Sequence, residues 1–394
     1  METCHRNRAR NIETLFGGVR LTRHYYHHRP SQTGRCPLDD RLGLERGCSP
    51  AVARLMCRAA SQSHSYEEGA ADLAAYAGLA LDPRDIGRMV AFVAPGLREA
   101  LAGLPVPAAA QGTRASIPVI YASADGTGVP MRKESLAGVR GKQEDGSAKT
   151  REAKLGCVFT QTSVDGDGKP LRDPASTSYV GTMGGCREAA VLLRQEAVRR
   201  GLGRAEHIVY IGDGAAWVWE NCRLTFPGAV EILDFYHASE HVGQLAKALC
   251  DTPEEALLRQ GQWCHDMKQA SPAAMLAEVT ALLATHPEWP EPRRTAIQGE
   301  INYLESHASR TRYGEYQAKG YFIGSGVIEA GCKTVIGRRL KQSGMFWGEA
   351  GAEDILSLRC QIIGPHFDAL WRARRQLLEV EQLKARRWLK TEAA

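Results

Sequence analysis

Alternation of apolar and polar residues predicts a β-hairpin near the start of the chain. Between Glu13 and Tyr26 the sequence ETLFGGVRLTRHYY changes polarity at most steps around Gly17-Gly18, which is typical of two strands joined by a tight turn. From residue 38 to residue 103 the apolar positions recur at helical spacing, in alanine-rich runs broken by proline and glycine. We therefore assign residues 1–37 to a hairpin element and residues 38–103 to a helical module.

Residues 104–118 are rich in proline, alanine and glycine and are expected to form a linker. Beyond them, apolar runs rich in β-branched residues predict five strands. The runs are Val119–Ala124, Lys154–Thr160, Ser178–Thr182, the segment HIVYIGD that ends in Asp213, and Val230–Phe235. Helices are predicted at Cys186–Arg200 and from about Gly214. Three strands followed by alternating helices and strands predict an α/β fold, with one mixed sheet and helices on its faces.

No strand pattern appears from Tyr236 to Tyr316, where the leucine, alanine, tryptophan and glutamate content predicts consecutive helices with a break at His286-Pro287. After this insertion the chain is expected to form a helix that begins near Ser325 and carries Glu329. The predicted segments are an α/β domain at 119–347 with a helical insertion at 238–318, and basic C-terminal helices at 348–394.

Composition restricts the classes of protein to consider. The 394 residues include 43% apolar residues, enough to fill the cores of two or three domains. No apolar run reaches the roughly 18 to 20 residues that a membrane helix needs, and the N-terminal METCHRNRAR lacks the apolar stretch of a signal peptide. The 11 cysteines never occur as C-x-x-C, which argues against a disulfide framework or a thiolate zinc knuckle. We therefore expect a cytoplasmic protein without a membrane partner.

Basic residues are concentrated in three stretches, although the net charge is only +5. The first 29 residues carry six arginines against two glutamates, the segment 333–341 contains no acid, and the tail adds seven more basic residues. Such stretches suit a phosphate backbone. A solvated charged face would give the same pattern.

Three carboxylates stand where a site is expected to form. Asp125 closes the first strand of the sheet, Asp213 closes the fourth, and Glu329 lies on the helix after the insertion. Carboxylates from separate elements can hold two magnesium ions about 3.5 to 4 Å apart, as phosphoryl transfer requires. Each also has an ordinary explanation: a turn, a helix cap, or an ion pair of Glu329 with Lys333.

Four strings in order, ADGTGVPM, IGDGAAWVWE, LDFYHASEHV and IGSGVIEAGCKTVIGRRLKQSGMFW, resemble the DDE transposases of ISKra-type bacterial insertion sequences, distant relatives of the Mutator-like group. The similarity runs from about Glu13 to about Arg359. It implies an RNase H-like fold with a helical insertion before the last acid, and a triad of Asp125, Asp213 and Glu329 that binds Mg²⁺ or Mn²⁺. Such relatives often follow the hairpin with paired cysteines, whereas this chain has only Cys36.

The resemblance also implies a reaction and partners. Water would cut double-stranded DNA at the transposon ends, and the freed 3′ hydroxyl would attack target DNA. A homo-oligomer is expected because two ends must be held together, and the location would be the cytoplasm, at the bacterial nucleoid. The helical module at 38–103 is expected to contribute to DNA binding.

Further residues acquire expected roles through the same resemblance. Asp234 and His237 form a D-x-x-H after the fifth strand and would support the metal site or position DNA; a helix cap and an ordinary histidine are the alternative. Phosphate contacts are expected from the basic residues of the last motif, and base stacking from its tryptophan, which a core position explains equally well. These residues are Lys333, Arg338, Arg339, Lys341 and Trp347.

Two other classes of function stay open. Residues 237–241 read HASEH, the H-x-x-E-H pattern of a zinc metallopeptidase in which two histidines bind zinc and Glu240 acts as base. A catalytically decayed relative that only binds DNA would share every basic feature. Asp165 and Asp167 imitate a calcium loop, but Lys169 stands at a ligand position and a hairpin turn explains them better.

Overall fold

The computed structural model describes residues 2–29, 32–103, 116–141, 143 and 146–378. These residues form two compact units, each drawn from separate stretches of sequence. The first unit consists of Met1–Pro105, Gly128–Arg151 and Val335–Ala394, and the second consists of Val106–Thr127 and Glu152–Thr334. The predicted domain at 119–347 is therefore divided, because parts of it belong to the first unit. Most of the predicted linker, residues 104–115, lies outside the described residues.

The N-terminal hairpin is confirmed, and it is longer than the polarity pattern predicts. β1(Glu2–Thr14) pairs antiparallel with β2(Gly17–His28), and β3(Thr33–Arg35) lies on the other side of β2. Residues 2–11 contain few apolar side chains. Pairing there depends on main-chain hydrogen bonds, which no polarity pattern reports.

Four helices follow in the first unit, as predicted for residues 38–103. They are α1(Pro37–Leu42), α2(Pro50–Gln62), α3(Tyr66–Ala77) and α4(Pro83–Gly103). Local sequence explains where they begin. Pro50 starts α2, since its fixed φ suits the first helical turn and its missing N–H is not needed there. The Ser65 side chain accepts a hydrogen bond from the Glu68 amide at the start of α3, the pairing of a capping box.

A five-stranded mixed sheet forms the centre of the second unit. Its strands, with the small β6-β7 hairpin between them, are β4(Ile117–Pro130), β5(Thr150–Gln161), β6(Ser163–Val164), β7(Pro170–Leu171), β8(Ser178–Thr182), β9(Ala205–Gly212) and β10(Val230–Leu233). The order is β10-β9-β4-β5-β8, with β9 parallel to both of its neighbours and β8 antiparallel to β5. The predicted α/β fold with one mixed sheet is confirmed.

Two helices cover one face of this sheet. They are α5(Cys186–Arg199), as predicted, and α6(Ala216–Thr225). Gly156 on β5 leaves room for α5, because a Cβ there would lie 2.9 Å from a Leu193 methyl carbon. Gly212 at the end of β9 does the same for α6, where a Cβ would lie 2.5 Å from Val218. Asp213, the next residue, extends from the opposite face because side chains alternate along a strand.

Five helices occupy the predicted insertion. They are α7(Phe235–Leu249), α8(Pro253–Gln269), α9(Ala273–Thr285), α10(Glu291–Ser306) and α11(Tyr313–Ala318). The predicted break is confirmed, since α9 ends at Thr285 and α10 begins after Pro290. The Tyr313 hydroxyl donates to the Leu233 carbonyl at 3.0 Å, which ties the insertion to the end of β10.

Helical structure continues after the insertion. The segments are α12(Gly326–Gly331), a π-helical turn at Cys332–Gly337, α13(Arg338–Leu340) and α14(Glu349–Ile363), and residues 367–378 are also helical. In the first unit α14 packs against α2 and α4. The predicted tail beyond residue 378 lies outside the described residues. Among the described helices, none has the length and apolar character needed to cross a bilayer.

The structure contradicts the expected phosphate contact of Arg339. This side chain is fully buried in the first unit, where Nε donates to the Ala60 carbonyl at 2.8 Å. Its guanidinium carbon lies 4.9 Å from the ring centroids of both Tyr66 and Trp347. Burial lowers the pKa of Arg339 from its usual value. The basic segment thus supplies a core residue, because helical geometry turns one arginine inward.

Trp347 is also a core residue rather than an exposed stacking platform. It is 7% exposed, and its indole Nε1 donates to the Leu340 carbonyl at 3.1 Å. The other three basic residues of the motif, Lys333, Arg338 and Lys341, are exposed. Their expected role in phosphate binding remains a prediction.

Replacing Arg339 with alanine should lower the free energy of unfolding of the first unit by about 2 to 4 kcal/mol, since a charge-assisted hydrogen bond and two ring contacts are lost. Arg338→Ala is the matched control, because Arg338 is adjacent but exposed; its effect should stay within about 0.5 kcal/mol. Urea denaturation followed by circular dichroism measures both. Equal midpoints for the two variants would contradict the structural role of Arg339.

Candidate functional site

Strand register places three aspartates side by side across the sheet. Ser123 of β4 pairs with Ile211 of β9, and Leu233 of β10 pairs with Gly212 of β9. Continuing that register by one or two residues brings Asp125, Asp213 and Asp234 into one row across three parallel strands. The Asp234 amide donates to the Gly212 carbonyl at 2.8 Å, as parallel pairing requires. Neighbouring strands lie about 4.8 Å apart, so adjacent carboxylates in this row are close.

The prediction that Asp125 closes the first strand is wrong, because β4 continues to Pro130. Asp125 is half-buried and held by two hydrogen bonds. The Gly126 amide donates to Oδ1 at 2.6 Å, and the Cys332 thiol donates to Oδ2 at 3.2 Å. Burial raises the pKa of Asp125 above its ordinary value, the two hydrogen bonds lower it, and the negative charges of Asp213 and Glu329 raise it further. Both other acids of the predicted triad therefore act electrostatically on Asp125.

Asp213 lies at the turn between β9 and α6. Its Oδ1 accepts a hydrogen bond from the Ala215 amide at 3.1 Å. The helix-capping explanation is wrong, because Ala215 itself is the N-cap residue of α6 and the helix has no side-chain cap. The Tyr303 hydroxyl of α10 donates to the Asp213 main-chain carbonyl at 3.3 Å. Gly214 follows with a φ of +92°, and a Cβ there would overlap the Tyr303 hydroxyl. Both the positive φ and the space left for Tyr303 require glycine at this position. The helical insertion thus contacts the main chain of Asp213 directly.

Glu329 lies on α12, which packs against the sheet opposite α5. Gly331 makes this approach possible, since a Cβ there would lie 2.5 Å from the Tyr179 ring of β8. Glu329 is exposed, and its Oε1 accepts a hydrogen bond from the Ser325 hydroxyl at 2.9 Å. Cys332, which contacts Asp125, lies three residues further along the helix. Residues three apart share a helix face, so Glu329 lies within about one turn of Asp125.

Asp234 differs from the other acids because it is buried and fully engaged. It is 3% exposed. Its Oδ2 accepts from the His237 amide at 3.0 Å, which caps α7, and its Oδ1 accepts from the Ser325 amide at 2.9 Å. Burial raises the pKa of Asp234, the main-chain hydrogen bonds lower it, and the charge of Glu329 raises it. The helix-cap explanation is correct, and the same carboxylate also fixes the residue before α12.

His237 belongs to a ring cluster between α7 and α10. Its ring centroid lies 5.1 Å from that of His241 and 6.1 Å from that of Tyr303. Tyr303 stacks on His241 at 3.6 Å, and His241 Nδ1 lies 2.7 Å from the Glu300 carboxylate. This cluster connects the insertion to the Asp213 turn through the Tyr303 hydroxyl.

The fit of a divalent metal depends on side-chain rotation. Within the described ranges, no three His, Cys, Asp or Glu side chains are already arranged to hold one ion. Asp125 and Glu329 are instead directed to Cys332 and Ser325 by the hydrogen bonds above. Strand register and the Cys332 contact bring the elements that carry these acids together. Oxygen donors of this kind suit Mg²⁺ or Mn²⁺.

Scans against protein-family models and against curated proteins find no match to this chain. The interpretation of the site therefore depends on its geometry and on the sequence motifs.

Sequence reasoning assigned no role to three residues that shape the site. Cys332 lies inside a quoted motif, and its i, i+3 spacing from Glu329 was a usable signal. Ser325, four residues before Glu329, was another. Tyr303 gave none, because it lies 90 residues after Asp213 and reaches it only through the packing of α10.

We expect Asp125→Asn to raise the melting temperature of the metal-free protein at pH 7. Because the pKa of Asp125 is raised in the folded state, its contribution to stability is fully present below the ordinary pKa. The contribution is lost as pH rises through the folded-state pKa. Asparagine avoids that loss, so its advantage should shrink as pH falls toward about 4.

Thermal melts in a chelator at several pH values measure this effect. Asp167→Asn is the control, since Asp167 is 77% exposed in the β6-β7 turn. A variant at Asp125 that is less stable than the wild type at every pH would contradict the electrostatic argument.

Proposed function

We propose that this chain is a DNA transposase that cuts and joins phosphodiester bonds in an active site formed by Asp125, Asp213 and Glu329. One observation carries the proposal: strand register sets Asp125 beside Asp213, and the Cys332–Asp125 contact brings the helix of Glu329 to the same point. The sheet order β10-β9-β4-β5-β8, with the insertion before α12, supports an RNase H-like fold. The motif resemblance to ISKra-type transposases supports the reaction class.

The three acids would hold Mg²⁺ or Mn²⁺, since such hard cations prefer carboxylate oxygens. When bound, a pair of these ions polarises the phosphodiester and lowers the pKa of the attacking water or 3′ hydroxyl. Burial, and to a smaller extent the charges of Asp213 and Glu329, raise the pKa of Asp125, and a cation beside these acids would offset that repulsion. A rotation of Glu329 away from Ser325 would free its oxygens for this role.

Other residues prepare the site without touching the reacting atoms. Asp234 accepts hydrogen bonds from the first turn of α7 and from the Ser325 amide, and so fixes the start of α12, which carries Glu329. Tyr303 holds the main chain of Asp213. His237, beside Tyr303 and one-third exposed, could contact a DNA phosphate. We assign Asp234 and Tyr303 as positioning residues.

Double-stranded DNA, both transposon ends and target, is the proposed partner. Lys333, Arg338 and Lys341 are exposed and would contact its phosphates. Holding two ends requires two active sites, so a homo-oligomer in the bacterial cytoplasm is part of the proposal.

No observation favours the zinc peptidase. His241 is stacked under Tyr303 and bonded to Glu300, which gives it a structural role. Glu240 is 78% exposed and lies 3.7 Å from His237 Nδ1, as expected for a surface pair. A decayed DNA-binding relative differs from the enzyme only in metal-dependent cleavage.

Asp125→Asn, Asp213→Asn and Glu329→Gln should each reduce cleavage of duplex DNA carrying the element's ends by at least about 100-fold, since each removes a ligand of the catalytic ions. DNA binding in chelator should change by less than about threefold. Asp167→Asn and Glu240→Gln are matched controls at exposed carboxylates and should cleave normally. Wild-type cleavage by any triad variant would refute the proposed site.

Mg²⁺ should raise the melting temperature of the wild type, because an ion that binds only the folded state stabilises it by about 2.7 kcal/mol at 100 times its Kd. The triad variants should lose most of this rise, whereas the two control variants should retain it. An equal rise in every variant would place the ion elsewhere.

A further inference from the structure

The turn of the N-terminal hairpin exposes two large apolar residues. Leu15 and Phe16 form the loop between β1 and β2, and Phe16 is 99% exposed and Leu15 46% exposed. Hairpin turns normally carry glycine, asparagine or aspartate. Val19, three residues after Phe16 on β2, is 48% exposed. An apolar tip on a soluble hairpin therefore calls for an explanation.

This tip is held in one conformation. The Thr14 hydroxyl donates to the Gly17 carbonyl at 2.8 Å and accepts from the Phe16 amide at 3.1 Å. Gly17 adopts a φ of +97°, which a residue with a side chain rarely tolerates. Such a tip can bind a partner without a further loss of conformational freedom, because its local hydrogen bonds already fix it.

The hairpin is also anchored firmly next to the tip. The Glu13 amide donates to the Gly47 carbonyl at 2.9 Å, and the Ser49 amide donates to the Glu13 carbonyl at 2.8 Å. Further along, Arg23 pairs with Asp39 at 2.6 Å. Leu15 and Phe16 thus project beyond a docked segment of the first unit rather than from the end of a free arm.

Exposed arginines flank the apolar tip on both strands. They are Arg6, Arg8 and Arg20, together with Arg10, whose guanidinium also lies 3.9 Å from the Asp39 carboxylate. The only acids in the two strands are Glu2 and Glu13. A strand of 13 residues spans about 40 Å at about 3.3 Å per residue, which is comparable to one turn of duplex DNA. Charge and length are therefore complementary to a duplex.

We propose that this hairpin is a DNA-bending arm, whose arginines bind phosphates while Phe16 enters the stack between two base pairs. Apolar wedges of this kind unstack a base step and bend the duplex. The inference depends on the proposed function only for the choice of duplex DNA as partner. A second copy of the chain seated on the tip is the competing occupant.

Bending is measured by energy transfer between dyes at the two ends of a 40-base-pair duplex with a central TA step, which unstacks easily. The protein carries Asp125→Asn, and no divalent metal is added, so cleavage does not enter the readout. The parent should raise the transfer efficiency. Adding Phe16→Ala should remove more than half of that rise while affinity falls less than about fivefold. Leu258→Ala is the matched control, because Leu258 is a large apolar residue 76% exposed on α8, and it should bend the duplex as the parent does.

The arginines are tested through the salt dependence of binding. Arg6→Ala with Arg20→Ala should reduce the slope of log K against log salt by about 1.8, since each phosphate contact contributes about 0.9. Arg187→Ala with Arg223→Ala removes the same charge from exposed positions on α5 and α6 and should leave the slope unchanged.

Parent-like bending by Phe16→Ala would overturn the proposal. If Phe16→Ala lowers the mass of the oligomer but leaves bending unchanged, the proposal is also overturned, because the tip then contacts a second copy of the chain. If the parent bends the duplex but the triad variants still cleave DNA, the proposed catalytic site is refuted and the proposed bending arm is not. The two failures are therefore distinguishable.

Discussion

The register of three adjacent parallel strands is the constraint on which the candidate site depends. Parallel neighbours bring equivalent positions within about 5 Å of one another, and here those positions are all aspartate. Asp125, Asp213 and Asp234 consequently form one row across the sheet, where β9 and β10 end and β4 continues to Pro130. Burial raises the pKa of both Asp125 and Asp234, and the charge of Glu329 raises both further. Such an arrangement is retained for function more readily than for stability.

Burial and hydrogen bonding separate the roles of the three aspartates. Asp234 uses both oxygens on main-chain amides of α7 and of Ser325, so it acts as a structural joint. Asp125 and Asp213 are less buried, and each retains capacity to bind an ion. The hydrogen bond from Ser325 to Asp234 matters for the chemistry, because Ser325 is also the hydrogen-bond partner of Glu329. One buried carboxylate thereby fixes the origin of the helix that carries the last acid.

Positive charge has two different uses in this chain. Arg339 is enclosed between aromatic rings and a main-chain carbonyl, whereas adjacent Arg338 is exposed. The arginines of the hairpin are mostly exposed, although Arg23 is paired with Asp39. A basic stretch therefore identifies a surface only after helical or strand geometry has assigned each side chain to a face.

The sequence by itself determined the local elements, because polarity period, capping residues and glycines act over a few positions. The five strands, α5, the break after Thr285 and the candidate acids all followed from such patterns. Tertiary structure alone decided which distant residues meet. Tyr303 on Asp213, Cys332 on Asp125 and the enclosure of Arg339 each join segments far apart in sequence or depend on which helix face is covered. Packing between elements fixes such contacts, and packing has no signature in the polarity of a single stretch of chain.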